Sequence, residues 1–229
     1  MKMKRKRRAT IGVGVLAVLA GAAGAARAQE LADFDYENLS FRGLDLSWSY
    51  LHPSRVEPTT AYGLTMDLGY LGPGLRIEPG ILYWSSDFKR SEVAELEDRV
   101  AALIRRQLDG PPLSVDLGTI EWSDVALTLD AHVVWRVPYN VLTFAGLGGA
   151  VHFLNGSGEA IAGTFVEDLL DSVTAGFNLH TGLEVPVHGR FRLSGVGRYE
   201  VLGDLQYFQL GIGAKVMIRG SVPGEEVSP

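Results

Sequence analysis

The sequence predicts an all-β fold, an eight-stranded antiparallel up-and-down transmembrane β-barrel with two short helices in extracellular loops. Three observations carry this prediction. About eight segments alternate apolar and polar residues with a period of two, the mark of a strand with unlike faces. Tight turns and long connections alternate along the chain, which sends them to opposite ends of a closed sheet. Aromatic residues gather towards both ends of the apolar faces, with aliphatic residues between them.

The chain opens with a segment outside this pattern. Lys2, Lys4, Arg5, Lys6, Arg7 and Arg8 precede an apolar run from Ile11 to Ala26, which ends in Ala26-Arg27-Ala28. A basic start, a short apolar stretch and a small-x-small site predict a cleaved signal peptide over residues 1–28. The run falls short of the roughly 20 apolar residues of a spanning helix, so an uncleaved anchor is the weaker alternative. Residues 29–40 are then a periplasmic N-terminal extension, 41–219 the barrel and 220–229 a polar C-terminal tail.

Eight strands follow in order. Leu44, Leu46, Trp48 and Tyr50 mark the first, and Tyr62, Leu64, Met66, Leu68 and Tyr70 the second. Leu75, Ile77, Ile81 and Tyr83 belong to the third, where the alternation is less clean. The fourth is the clearest: Val125, Leu127, Leu129, Ala131, Val133, Trp135 and Val137 share one face of a run from Asp124 to Val137. Such a run exceeds the roughly 9–11 residues that cross a bilayer at a tilt. Val141 to Phe153 is apolar on one face and small on the other, with Gly146, Gly148 and Ala150. Phe177, Leu179 and Leu183 mark the sixth strand, Phe191 and Leu193 the seventh, and Phe208, Leu210 and Ile212 the eighth.

The even strands end in tight turns, Leu71-Gly-Pro-Gly74, Pro138-Tyr-Asn140 and Pro186-Val-His-Gly189, whose Pro and Gly supply fixed and positive φ values. The other connections are His52 to Thr60, Ser86 to Gly118, Asn155 to Ser172 and a short one near Gly203-Asp204. Short turns belong in the periplasm and long loops outside. From Ser91 to Leu108 the residues Val93, Leu96, Val100 and Leu103 recur at helical spacing, with acidic residues early and Arg105 and Arg106 late, as the helix dipole favours. Ile161, Phe165, Val166, Leu169 and Leu170 make a second stripe between Glu159 and Ser172. The two segments either pack together as a cap or rest singly on the rim.

Alternation by itself does not say which face meets lipid; the residue types do. Trp48, Tyr50, Tyr62, Tyr83, Phe153, Phe177, Tyr199 and Phe208 fall on apolar faces near the long-loop end, and Tyr70, Trp135 and Phe191 near the other. Two aromatic girdles around an aliphatic band suit headgroup interfaces and have no purpose on a soluble barrel. The opposite face mixes small residues with charges of both signs: Asp45, Asp67, Arg76, Glu78, Asp130, His132, His180, Glu184, Arg192 and Lys215, with Asp124, Arg198 and Glu200 higher up. An eight-stranded barrel is only wide enough for side chains to fill, and buried charges must pair. A near-balanced network filling the lumen is the expectation. A soluble periplasmic lipid-binding barrel, with the faces reversed, is the alternative.

The chain thus resembles the small eight-stranded outer-membrane barrels of the OmpA/OmpX type, over about Phe41 to Ile218. The resemblance lies in topology and patterning, with no residue motif. It implies outer-membrane lipid and the outer-membrane assembly machinery as partners. One departure is the end of the last strand, which runs through Lys215-Val-Met-Ile218 into a polar tail, where barrels of this group finish on an aromatic residue.

Composition narrows function further. There is no cysteine, which removes thiolate metal sites and cysteine nucleophiles. Without residues 1–28 the chain carries 14 basic against 27 acidic residues, a net charge of −13 that argues against nucleic acid as a partner. Gly211-Ile-Gly213-Ala-Lys215 and Gly195-Val-Gly197 neither follow a strand nor open a helix, so no nucleotide or other cofactor site is expected. His132 and His180 face the lumen at similar depth, where a structural polar pair with Asp130 is favoured over a metal site. The one catalytic candidate is His152 with Ser157 and Glu159, and the parity of His152 turns it inward. The sequence therefore predicts a non-enzymatic barrel, structural or surface-interacting, whose extracellular ligand, if it has one, meets loops 86–118 and 155–172. A narrow channel and an outer-leaflet lipid-modifying enzyme are the rival readings.

Overall fold

A computed structural model describes residues 39–108 and 115–218. The expected signal peptide, most of the N-terminal extension and the polar tail lie outside the described residues.

Eight antiparallel strands close into one barrel in sequence order: β1 (Leu39–Pro53), β2 (Thr59–Gly72), β3 (Leu75–Asp87), β4 (Glu121–Val137), β5 (Val141–Ser157), β6 (Ser172–His188), β7 (Phe191–Leu202) and β8 (Leu205–Met217). Closure comes from β1 pairing with β8, from Gly43 opposite Met217 to Pro53 opposite Tyr207, so no strand edge is left open. The first strand starts two residues before the boundary read from the sequence, because Leu39 still pairs with Gly69.

The short connections are tight, as their residues require. Gly74 and Gly189 take positive φ, and between β4 and β5 both Tyr139 and Asn140 do so (68° and 58°), the backbone of a hairpin turn whose twist matches its strands. At the other end, helix α1 (Arg90–Leu108) lies between β3 and β4 and helix α2 (Phe165–Leu170) between β5 and β6. The second is shorter than its apolar stripe implied. Gly163, at φ 70°, and the N-cap Thr164 start the helix late, so Ile161 belongs to the turn before it.

The faces sort by chemistry. Leu46, Leu129, Leu147, Leu210 and Ile212 stand outward along the middle of the strands, with Leu129 57% and Ile212 66% exposed. An aliphatic band of this kind around a closed barrel is stable only against hydrocarbon, which makes this a transmembrane barrel. The reversed arrangement of a soluble carrier, apolar inside and charged outside, is not what the chain adopts.

Ten of the eleven girdle aromatics point outward. Trp48, Tyr62 and Tyr83 sit side by side in one row across β1, β2 and β3, and Tyr199 and Phe208 pair across β7 and β8. Tyr50, Phe153 and Phe177 join them in the long-loop half, with Trp135 and Phe191 in the short-turn half. Tyr70 is the exception: it is 3% exposed and packs in the lumen with Val134, Leu142 and Phe144. Alternation assigned it to lipid, but a bulge reverses the parity of β2. Thr65 pairs with Gly80 while Tyr70 pairs with Arg76, one residue out of register, and Gly69 takes φ 79° with its N–H donating to Asp67 Oδ1 at 2.8 Å. One extra residue in a strand moves everything beyond it to the other face.

Candidate functional site

The interior is the part of this molecule that carries unusual chemistry, and the register explains how it is built. Inward residues of neighbouring strands line up in rows. One row runs Arg76, His132, Gly146, His180, Arg198 and Gln209, from β3 to β8. The row beside it runs Glu78, Asp130, Gly148, Asn178, Glu200 and Tyr207. The glycines of β5 leave a gap in each row, through which polar side chains of β4 reach those of β6.

Towards the short-turn end the charges form one network. Lys215 Nζ donates to Glu78 Oε1 at 2.6 Å and to Glu184 Oε1 at 2.7 Å. Arg76 meets Glu184 at 2.7 Å and Glu78 at 3.1 Å, and both cations lie 3.8 Å from Asp67. Arg192 reaches Glu184 Oε2 at 3.5 Å, and Ser194 donates to Asp45 at 2.8 Å. Nine of the ten charged or histidine side chains expected in the lumen are buried, and Arg192 is half-buried.

A second group lies higher. Arg198 bonds Asp130 and lies 3.7 Å from Glu200. His152 is enclosed between two carboxylates, with Nδ1 2.7 Å from Asp124 and Nε2 3.5 Å from Glu200, while Trp84 Nε1 donates to Asp124 at 3.0 Å. Ser157 and Glu159 are exposed, and no hydrogen bond joins either of them to His152. The catalytic cluster drawn from sequence is therefore not assembled.

Between these groups His132 stacks on Phe144 (ring centroids 4.7 Å, planes 9° apart) and meets His180 edge-on at 4.6 Å. Asn178, fully buried, donates to Asp130 Oδ1 at 3.2 Å and accepts from His180 Nδ1 at 2.6 Å. Asn178, Gln209 and Phe144 are the interior residues that sequence reasoning missed. Their inward parity was the available signal, but an amide and an aromatic ring do not stand out among charges. A cavity of about 70 Å³ runs between Asp45, Asp130, His132, His180, Arg198 and Lys215.

The interior is not balanced. Among the described residues seven carboxylates are buried in the lumen: Asp45, Asp67, Glu78, Asp124, Asp130, Glu184 and Glu200. They face four cations, Arg76, Arg192, Arg198 and Lys215, while Arg42 lies over the Tyr70 ring at the short-turn mouth. The near-balance expected from sequence is corrected here. Parity already placed Asp124, Arg198 and Glu200 on this face, and with them the acids outnumber the cations.

Above the polar interior the lumen closes on apolar residues. Trp84, Phe88, Trp122, Leu51, Ile120 and Tyr207 form one cluster, to which α1 contributes Val100 and the second loop Ile161 and Val166. The two helical segments share this cluster, so they cap the barrel. Polar ties fix the cap: Arg55 to Glu92 at 2.7 Å, Lys89 Nζ to the carbonyls of Pro53 and Ser54 at 2.9 Å, and Trp122 Nε1 to the Leu170 carbonyl at 3.2 Å. On the solvent side of α1, Arg99 donates to Glu95, and that bond holds the Glu95 carboxyl below its ordinary range.

No family model matches the chain, and no curated protein matches it. Among solved structures, it is similar to Neisserial surface protein A (TM-score 0.49, 11% identity, 76% of this chain and 96% of that one). It is also similar to Ail, the attachment invasion locus protein of Yersinia pestis (TM-score 0.47, 11% identity, 79% and 99%). A third similar structure is a major outer membrane protein from Thermus thermophilus (TM-score 0.45, 12% identity, 77% and 99%).

Proposed function

We propose that the chain is a non-enzymatic outer-membrane protein whose barrel is a rigid, plugged scaffold and whose outward activity belongs to its capped loop end. The observation that carries this reading is the double closure of the lumen. Arg76, Glu78, Glu184 and Lys215 fill it with mutual ion pairs, and the Trp84–Trp122 cluster seals it above. A barrel used for general diffusion needs a continuous water path, and eight strands leave room only for side chains.

The enzymatic alternative requires a reactive group open to lipid or solvent. His152 is fully buried and committed to Asp124. The described parts of the loops, by contrast, carry many exposed residues, among them Leu103, Phe165 and Leu169. Loops 86–118 and 155–172 present α1 and α2 on a pinned platform, where loop residues are free to take up an extracellular partner.

Reconstitution into planar bilayers tests the reading directly. The protein should give no steady single-channel current, and deleting residues 90–108 should leave the bilayer silent because the ion-pair network remains. Steady conductance by the intact chain would overturn the plugged-scaffold reading in favour of a narrow channel.

A further inference from the structure

Two imidazoles and a carboxylate converge inside the barrel, each imidazole with its Nε2 unpartnered. Asp130 and His132 lie two residues apart on the inward face of β4, and His180 reaches them from β6 across Gly146. One donor atom from each lies within 4.8 Å of the others, and the three residues are 2%, 3% and 5% exposed. Nε2 of His132 and Nε2 of His180 are both buried without a hydrogen-bond partner. A purely structural polar pair would leave neither orphaned, since an unmet buried polar atom costs about 1–3 kcal/mol.

The surroundings orient these atoms as ligands. His180 Nδ1 donates to Asn178 Oδ1, which leaves a lone pair on Nε2. The same Asn178 amide donates to Asp130 Oδ1, so one buried side chain positions two of the three groups. His132 Nδ1 has Glu78 Oε2 at 3.6 Å, the carboxylate–imidazole arrangement that commonly backs a metal-bound histidine. Arg76 Nη2 donates to the same nitrogen at 3.2 Å, so without an ion the ring carries its proton on Nε2. An ion at Nε2 would displace that proton and leave Nδ1 protonated towards Glu78, while Arg76 keeps its bond to Glu184. The adjoining cavity, about 70 Å³, holds space for a water ligand.

Charge points the same way. The buried carboxylates outnumber the interior cations by seven to four. Both ring nitrogens of His152 face carboxylates, an arrangement only the doubly protonated ring satisfies.

We propose that Asp130, His132 and His180 form a buried site for a divalent transition-metal ion, zinc by its two-nitrogen, one-oxygen donor set, tying β4 to β6 across Gly146. Zinc–nitrogen bonds are about 2.0–2.1 Å, so the donors close by roughly 1 Å when the ion enters, a movement the glycine gap permits.

The test uses the full chain refolded in detergent with zinc sulfate, then stripped of loose metal on a chelating resin and assayed by elemental mass spectrometry. The wild type should retain one zinc ion per chain. His132→Ala and His180→Ala should each lose it, and Asn178→Ala should bind about 10–100-fold more weakly. His52→Ala and His188→Ala, at exposed positions, should keep it. Each variant is first shown to fold by its boiling-dependent gel mobility. A measurement on the unaltered protein stands beside these: bound cobalt should broaden the Gly146 and Gly148 amide resonances selectively. Absence of retained zinc in the wild type, retention by both lumen histidine variants, or cobalt broadening confined to the exposed histidines would each overturn the site.

Discussion

At the scale of single residues, the interior works because particular glycines face particular charges. A Cβ at Gly176 would stand 2.5 Å from His152 Nε2 and 2.7 Å from Glu200 Oε1. Both groups are fully buried and Asp124 holds the His152 ring at 2.7 Å, so the imidazole cannot swing away. Gly176→Ala should therefore destabilise the barrel by about 1–3 kcal/mol, the usual cost of overpacking, read as a lower urea midpoint in lipid vesicles. Gly195 offers the control, because the nearest atom to its added Cβ is 4.0 Å away. An equal loss at both positions would mean that glycine's backbone freedom, and not the space beside His152, is what matters. The lumen acids and bases were legible in the sequence because charge repeats on one face of alternating strands. Asn178 was not: only its place beside both Asp130 and His180, which belong to neighbouring rows, gives an ordinary amide its task.

At the scale of elements, the two loop helices differ in what holds them. Helix α1 is long, carries Glu92 in its first turn and Arg105 and Arg106 in its last, and packs Val93, Leu96, Val100 and Ile104 on the cap. Helix α2 has six residues, too few to be stable alone. It depends on Thr164, whose Oγ1 accepts from Val166 N at 3.3 Å, and on Val166 and Leu170 beneath it. Thr164→Ala should cost the helix about 1 kcal/mol. Amide exchange at Val166 to Leu170 should then quicken about fivefold while the strands keep their protection. Unchanged exchange would show that burial of Val166 alone sets the helix. The sequence showed the apolar stripe of α2 but not its start, since Gly163 and Thr164 read as ordinary loop residues until the chain folds over them.

At the scale of the whole molecule, the outward band and the inward charges are two sides of one closed sheet. Leu129 stands near the middle of β4 and is 57% exposed. Leu129→Arg should cost about 2–4 kcal/mol in folding into vesicles, the penalty of a charge at the bilayer midplane. Leu129→Ala should cost far less, because no cavity forms on a face that lipid can fill. Tolerance of the arginine would mean that this face does not meet hydrocarbon.

Sequence by itself determined the strand number, the alternation of turns and loops, and the face that each charged lumen residue takes. These follow from local rules, since period-two patterning and turn residues act over a few positions. Tertiary structure decided what depends on register. A bulge near Gly69 sent Tyr70 inward. Pairing across β5 brought His132 to His180, and closure of the barrel enclosed seven carboxylates with only four cations. Register is a relation between strands far apart in the chain, and a shift of one residue turns a side chain from lipid to lumen.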